Sequence, residues 1–98
     1  MAEYEIVLKP AAVADLDRLR KYDAAMIADG IRQFLTHNPR RESKSRIKRL
    51  CGLHDPDYRL RLGAYRVFYN VDDAAKRVDV LRVLHKDKTR GYYEETPP

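Results

Sequence analysis

Arg59, Arg61 and Arg66 are the side chains of this sequence best suited to chemistry on a charged ligand. A guanidinium is not deprotonated in proteins, so none of the three can act as a base; its planar fork instead matches phosphate oxygens. All three fall within Tyr58-Arg59-Leu60-Arg61-Leu62-Gly63-Ala64-Tyr65-Arg66-Val67-Phe68-Tyr69. Strict alternation over Tyr58 to Leu62 and over Tyr65 to Val71 predicts two half-buried strands, with Gly63-Ala64 as the two-residue turn that needs positive φ. Counting back from the turn sets Leu62 opposite Tyr65, Arg61 opposite Arg66, Leu60 opposite Val67 and Arg59 opposite Phe68. Tyr58, Leu60, Leu62, Tyr65, Val67 and Tyr69 then share an apolar face, and Arg59, Arg61, Arg66 and Phe68 share the other. Like charges facing across a ladder are destabilising by up to about 1 kcal/mol. A phosphate chain lying between them would relieve this, as would acidic neighbours.

The rest of the chain must position that hairpin. Tyr4, Ile6 and Leu8 alternate with Glu5, Val7 and Lys9, predicting a first strand that ends at Pro10. Pro10 suits the first turn of a helix whose stripe is Val13, Leu16 and Leu19. Asp23 is the expected N-cap of a second helix with the stripe Ile27, Ile31, Phe34 and Leu35, stopped by Asn38-Pro39. Arg40 to Arg49, which contains Lys44, Arg46, Lys48 and Arg49, is too polar for a core element; it reads as an exposed loop or an RNA-facing edge, with a short strand starting at Ile47. Asp72-Asp73-Ala74-Ala75-Lys76 reads as a turn, and Val78 to Leu84 as a strand apolar on both sides and so interior to its sheet. The tail from His85, with Lys86, Lys88, Arg90, Tyr92 and Tyr93, holds a short helical turn and a frayed end. This order predicts an α+β fold over residues 1–98 as one domain: a strand, a helical hairpin and an antiparallel meander, with a basic concave surface opposite the helices.

Composition narrows the function classes. The chain carries 20 basic and 15 acidic side chains, a formal net charge of +5. Residues 40–66 hold nine basic and three acidic side chains, so the excess lies in the middle third and points to nucleic acid or an acidic partner. The single cysteine, Cys51, excludes an internal disulfide and reads as a packed thiol. No apolar run approaches a membrane span and no signal pattern opens the chain, so a cytoplasmic location and no membrane partner are expected. No metal-ligand spacing and no glycine-rich phosphate loop is present, and no cofactor is expected.

These features resemble the RelE/ParE superfamily of bacterial toxins from toxin–antitoxin modules over nearly the whole chain. The likeness rests on Lys9-Pro10-Ala11-Ala12 after the first strand, on Lys48-Arg49-Leu50, on the Tyr58–Tyr69 hairpin, and on Val83-Leu84-His85-Lys86-Asp87-Lys88. RelE-like members cut messenger RNA in the ribosomal decoding site, whereas ParE-like members block DNA gyrase. The resemblance places Arg59 and Arg61 at two basic strand positions that line the RNA site, Arg66 at an arginine following an aromatic, Lys86 where nucleases often carry arginine, and Tyr92 near a C-terminal tyrosine. It implies a metal-independent mRNA endoribonuclease acting on the ribosome; the alternatives are a gyrase inhibitor without catalysis and a toxin fold that has lost toxicity. It also implies a cognate antitoxin from the same operon, an acidic segment or helix that covers the basic face or displaces the tail.

Cleavage of RNA without a metal requires in-line attack by the 2′-hydroxyl, a base, an acid for the departing 5′-oxygen, and positive charge on the transition state. Arg61 and Arg66 meet only the last need. The strand positions, often lysine in the nucleases, are arginine here, which moves proton transfer elsewhere. His85 is the candidate by intrinsic pKa, near 6.5 before perturbation. Lys86 is the other, if neighbouring cations depress its pKa, and Tyr92 would stack on a base or relay a proton. Lys44, Arg46, Lys48, Arg49, Arg59, Lys88 and Arg90 complete the expected nucleic-acid-binding set.

Overall fold

In a computed structural model, residues 3–50 and 56–91 are described. The elements run β1 (Glu5–Leu8), α1 (Pro10–Asp17), α2 (Lys21–Leu35), β2 (Ile47–Arg49), β3 (Tyr58–Leu62), β4 (Tyr65–Asp72), β5 (Arg77–His85) and a 3-10 helix (Lys86–Gly91). One five-stranded sheet has the order β1-β5-β4-β3-β2. β2 to β5 form an antiparallel meander, and β1 returns parallel to β5, with Glu5 to Leu8 opposite Arg77 to Val80. The architecture is therefore α+β, with a helical hairpin over a mixed sheet.

The hairpin register is the one that alternation and turn chemistry dictate. Tyr58 pairs with Tyr69, Arg59 with Phe68, Leu60 with Val67, Arg61 with Arg66 and Leu62 with Tyr65. Gly63 adopts φ +58°, the left-handed conformation that a side chain with Cβ disfavours. Leu60, Val67 and Tyr69 are fully buried on the inner face, where they pack with Ile27, Ile31 and Leu35 of α2. Those helix residues recur every four positions, which places them on one stripe. Gly30 lies on the same side: a Cβ there would come within 2.7 Å of both Leu62 methyl carbons, so the helix approaches β3 over a residue with no side chain.

Two helix expectations need correction. Val13 is 42% exposed, and the buried line of α1 is Ala12 and Asp15, with Leu16 and Leu19 half-buried against the core. A three-residue spacing cannot choose between adjacent stripes on so short a helix, and a buried aspartate is invisible to an apolar count. Asp23 is not the N-cap of α2; Arg20 occupies that position in extended backbone without a side-chain cap bond, and Asp23 sits in the first turn, accepting from Arg20 Nε at 3.3 Å. A carboxylate there still favours the helix dipole.

Beyond α2 the chain is tied down before the basic loop begins. The Tyr69 hydroxyl donates to the Pro39 carbonyl at 2.6 Å, within the core. The Arg40 guanidinium donates to Asp73, whose other oxygen accepts from the Tyr4 hydroxyl at 2.6 Å. The Tyr4 hydrogen bond and then Arg40 hold the Asp73 carboxyl below its ordinary pKa. Loop residues 40–46 thus leave a fixed point and lead into the edge strand β2, whose Ile47 is buried. Among the described residues no helix is long and apolar enough to cross a membrane. Cys51 lies outside the described residues.

Candidate nucleic-acid interface

Cross-strand pairing puts a row of side chains on the face away from the helices: Lys48 opposite Arg59, Arg59 opposite Phe68, and Phe68 opposite Arg82. A second row, toward the hairpin turn, runs Arg61, Arg66 and Leu84. Directly paired residues project to the same side of a sheet, so five cationic residues and two apolar ones share this face. Phe68 is fully buried at its centre. The sheet thus presents guanidinium and ammonium groups around an apolar floor, a layout suited to phosphate oxygens.

The individual arginines differ in how they are held. Arg66 folds back onto the turn, with Nη1 donating to the Gly63 carbonyl at 2.9 Å and the Tyr65 carbonyl at 3.0 Å. Arg59 is half-buried. Arg61 is exposed, and its side chain has no hydrogen-bond or ion-pair partner among the described residues. Arg61 and Arg66 face one another across β3 and β4, a like-charge cross-strand pair.

Arg82 was not visible as a member of this face. Simple alternation along β5 puts it in phase with Val78 and Val80, on the core side. The pairing, however, passes from Phe68 opposite Arg82 to Tyr69 opposite Val80, so Leu81 is an extra residue, a β-bulge. The bulge reverses the phase for the rest of the strand, moving Arg82 and Leu84 to the basic face and Val83 into the core. The available signal was an arginine at an apolar phase of an interior strand.

The same reversal separates His85 from the arginines. His85 pairs with Tyr65, on the helix side of the sheet, and packs edge-on to its ring with centroids 5.6 Å apart. Its Nδ1 accepts the Asp87 backbone N–H at 3.2 Å, and the Asp87 carboxylate lies 3.5 Å away. That arrangement leaves the Nε2 position for a proton or a ligand. Lys86 follows at the strand end; its N–H donates to the Ala64 carbonyl at 2.8 Å, which seats it beside the hairpin turn that anchors Arg66. The Lys86 side chain is exposed, as is that of Lys88 in the 3-10 helix. The Arg90 side chain and Tyr92 lie outside the described residues.

The basic segment before β3 splits in two. Lys48 belongs to the arginine face, whereas Arg49 pairs opposite the buried Tyr58 and so projects to the helix side; its N–H donates to Glu42 at 3.1 Å. Arg46 is a buttress: Nη1 donates to the Arg61 carbonyl at 3.1 Å, and the guanidinium sits 5.2 Å from the Phe34 ring centroid. Lys44 is exposed in the loop. A groove of about 590 Å³ between α2 and the hairpin, lined by Tyr22, Met26, Phe34 and Leu62 among others, lies on the helix side, away from the arginine rows. Among the described residues no three histidine, cysteine or carboxylate side chains are grouped as a metal ion would need.

Known proteins share both sequence and architecture with this chain. Residues 6–90 match the family described as ParE toxin of type II toxin-antitoxin system, parDE. Toxin RelE of Mycobacterium tuberculosis is 32% identical over 83 residues, which is 85% of this chain and 81% of that protein. The toxin–antitoxin complex RelBE2 from the same organism contains a chain with a TM-score of 0.71 and 27% identity, covering 85% of this chain and 98% of that one. The archaeal RelE–RelB complex from Pyrococcus horikoshii gives a TM-score of 0.70 and 29% identity, covering 90% and 99%. With a basic hairpin in the same fold and a match running from β1 to the 3-10 helix, the chain belongs to the RelE/ParE superfamily of toxins of type II toxin–antitoxin systems.

Proposed function

We propose that this toxin is a metal-independent endoribonuclease that cuts messenger RNA, with the ribosome positioning the substrate. The observation that carries the reading is the pairing of Arg61 with Arg66 beside Arg59 and Lys48 on one sheet face, a concentration of positive charge suited to phosphate oxygens. The 2′-hydroxyl would lose its proton to water as its oxygen bonds to phosphorus and the bond to the 5′-oxygen breaks, leaving a cyclic phosphate and, once the 5′-oxygen is protonated, a 5′-hydroxyl. Arg61 and Arg66 would neutralise the charge gathering on the non-bridging oxygens, where a preorganised donor is worth a large rate factor. Proton transfer at the departing oxygen we assign to Lys86, which sits at the turn that holds Arg66, in preference to His85, which pairs on the helix side. Tyr92 is assigned to base stacking or proton relay on the family resemblance.

The partner we propose is a cognate antitoxin from the same operon that blocks the arginine face with acidic side chains; solved relatives are complexes of RelE with RelB. The test is primer extension on a reporter message after induction of the toxin, with Arg61→Ala and Arg66→Ala in parallel. Cuts within translated codons that vanish in both variants support the nuclease. Growth arrest with intact message refutes it. The matched family is described as ParE toxin, which keeps the alternative of a ParE-like gyrase inhibitor without catalysis; accumulation of cleaved DNA in a supercoiling assay, with message intact, would establish that reading instead.

A further inference from the structure

β1 covers the edge of β5 only as far as Val80, whose carbonyl accepts the Lys9 N–H at 2.9 Å; the chain then turns away into α1. Among the described residues, the remainder of β5, which leads to Lys86, has no strand beside it on that edge. Asp15 of α1 takes the strand's place. Its Oδ2 accepts the Val83 N–H at 2.9 Å and Arg82 Nε at 2.7 Å, and its Oδ1 accepts Arg82 Nη2 at 2.9 Å. Asp15 is 5% exposed, while the Arg82 side chain remains 30% exposed toward the basic face. The arrangement sits immediately after the bulge that carries Arg82 to that face.

Burying a carboxylate–guanidinium pair is a poor way to add stability, because the desolvation penalty rivals the attraction and a packed apolar pair often does as well. It is an effective way to fix geometry, since a bidentate fork sets both planes and the third bond pins the backbone. We propose that Asp15 is a positioning residue for the RNA site: it holds Arg82 as a rigid, charge-compensated donor in the Phe68 row and aims the end of β5, and with it Lys86, at the hairpin turn. The proposal rests on the RNA-cleaving reading above. With Asp15 in place, Arg82 contributes geometry to RNA binding and little net charge; without it, the face loses one negative charge and the fork that orients Arg82.

The charge part of this proposal separates it from a purely structural role. Asp15→Asn keeps an acceptor for Val83 and removes the negative charge. Binding of the intact toxin to a 2′-O-methyl RNA that cannot be cleaved, followed across salt concentration, should show a slope steeper by about 0.7, one more phosphate neutralised on a single strand. Single-turnover cleavage of the same sequence as unmodified message on programmed ribosomes should fall about 10- to 100-fold, with binding to free RNA at low salt equal to or tighter than the parent. Arg82→Lys, which keeps the cation but not the fork, should lower cleavage without changing the slope; it serves also if Asp15→Asn does not fold. An unchanged slope with cleavage and melting temperature falling together in Asp15→Asn, or parental cleavage in Arg82→Lys, would overturn the proposal. A parent protein that does not cut message on ribosomes would instead refute the nuclease reading, and Arg61→Ala run alongside shows which of the two has failed.

Discussion

Replacing Tyr69 by phenylalanine removes one oxygen from the core and should have a cost readable in a simple unfolding experiment. Tyr69 is fully buried, its ring stacks on Tyr58 at 5.5 Å with planes 15° apart, and its hydroxyl donates to the Pro39 carbonyl at 2.6 Å. Burial pushes the phenol pKa far up, so the hydroxyl stays a donor at every working pH. Phenylalanine keeps the ring and the stack; what is lost is the donor to a buried carbonyl, and an orphaned buried acceptor costs about 1–3 kcal/mol. For a domain of this size each kcal/mol moves the melting temperature by about 4–8 °C, so a fall of about 4–24 °C is expected. In urea the midpoint should drop by about 1 M at an m-value near 1.5 kcal/mol/M, with m unchanged. Because Pro39 precedes the basic loop, protease cleavage between residues 40 and 46 should accelerate by more than the global change in stability explains. A loss below about 0.5 kcal/mol would show that water reaches the Pro39 carbonyl, and that this bond does not anchor the loop.

Arg61→Ala should leave the unfolding free energy from urea titration within about 0.5 kcal/mol of the parent, since the side chain is exposed, while relieving toxicity and lowering the salt slope of RNA binding by about 0.7. Arg66→Ala should do both and also destabilise the fold by about 1–2 kcal/mol, because two bonds to turn carbonyls go with it; equal melting of the two variants would contradict that difference. Asp73 has its folded pKa depressed, so its stabilisation is present above the unfolded value and is lost as pH falls through the lower folded one. In Asp73→Asn the acid limb of the stability curve should therefore be shallower between about pH 5 and about pH 2, as measured by urea midpoints. Gly63→Val meets no neighbouring atom, yet should cost about 1–2 kcal/mol through its backbone conformation alone, and a neutral result in urea would mean that the turn relaxes.

The hairpin was legible in the sequence because its determinants are local. Period-two alternation assigns the faces, and a glycine at the turn fixes the count, so the register of Arg59, Arg61 and Arg66 followed without any knowledge of the rest of the fold. The long helix α2 was legible for the same reason, its apolar residues recurring over four turns. What failed was local evidence that was too short or of the wrong kind. Eight residues of α1 do not define a stripe, and the end of α1 that matters is buried through an ion pair.

Two decisions belong to tertiary structure alone. Whether Arg82 faces core or ligand, and whether His85 stands among the arginines or behind them, both turn on the single extra residue at Leu81, and a bulge is set by how two strands meet. Which carboxylate closes the β5 edge depends on where β1 stops and α1 begins to cross it, so Asp15 and Val83, 68 residues apart, meet only in the folded chain. The sequence by itself determined a basic hairpin and its register, because alternation and turn chemistry act between neighbours. Only the tertiary structure decided which other side chains join that hairpin, because phase along β5 and contact across the sheet edge arise from packing between distant segments.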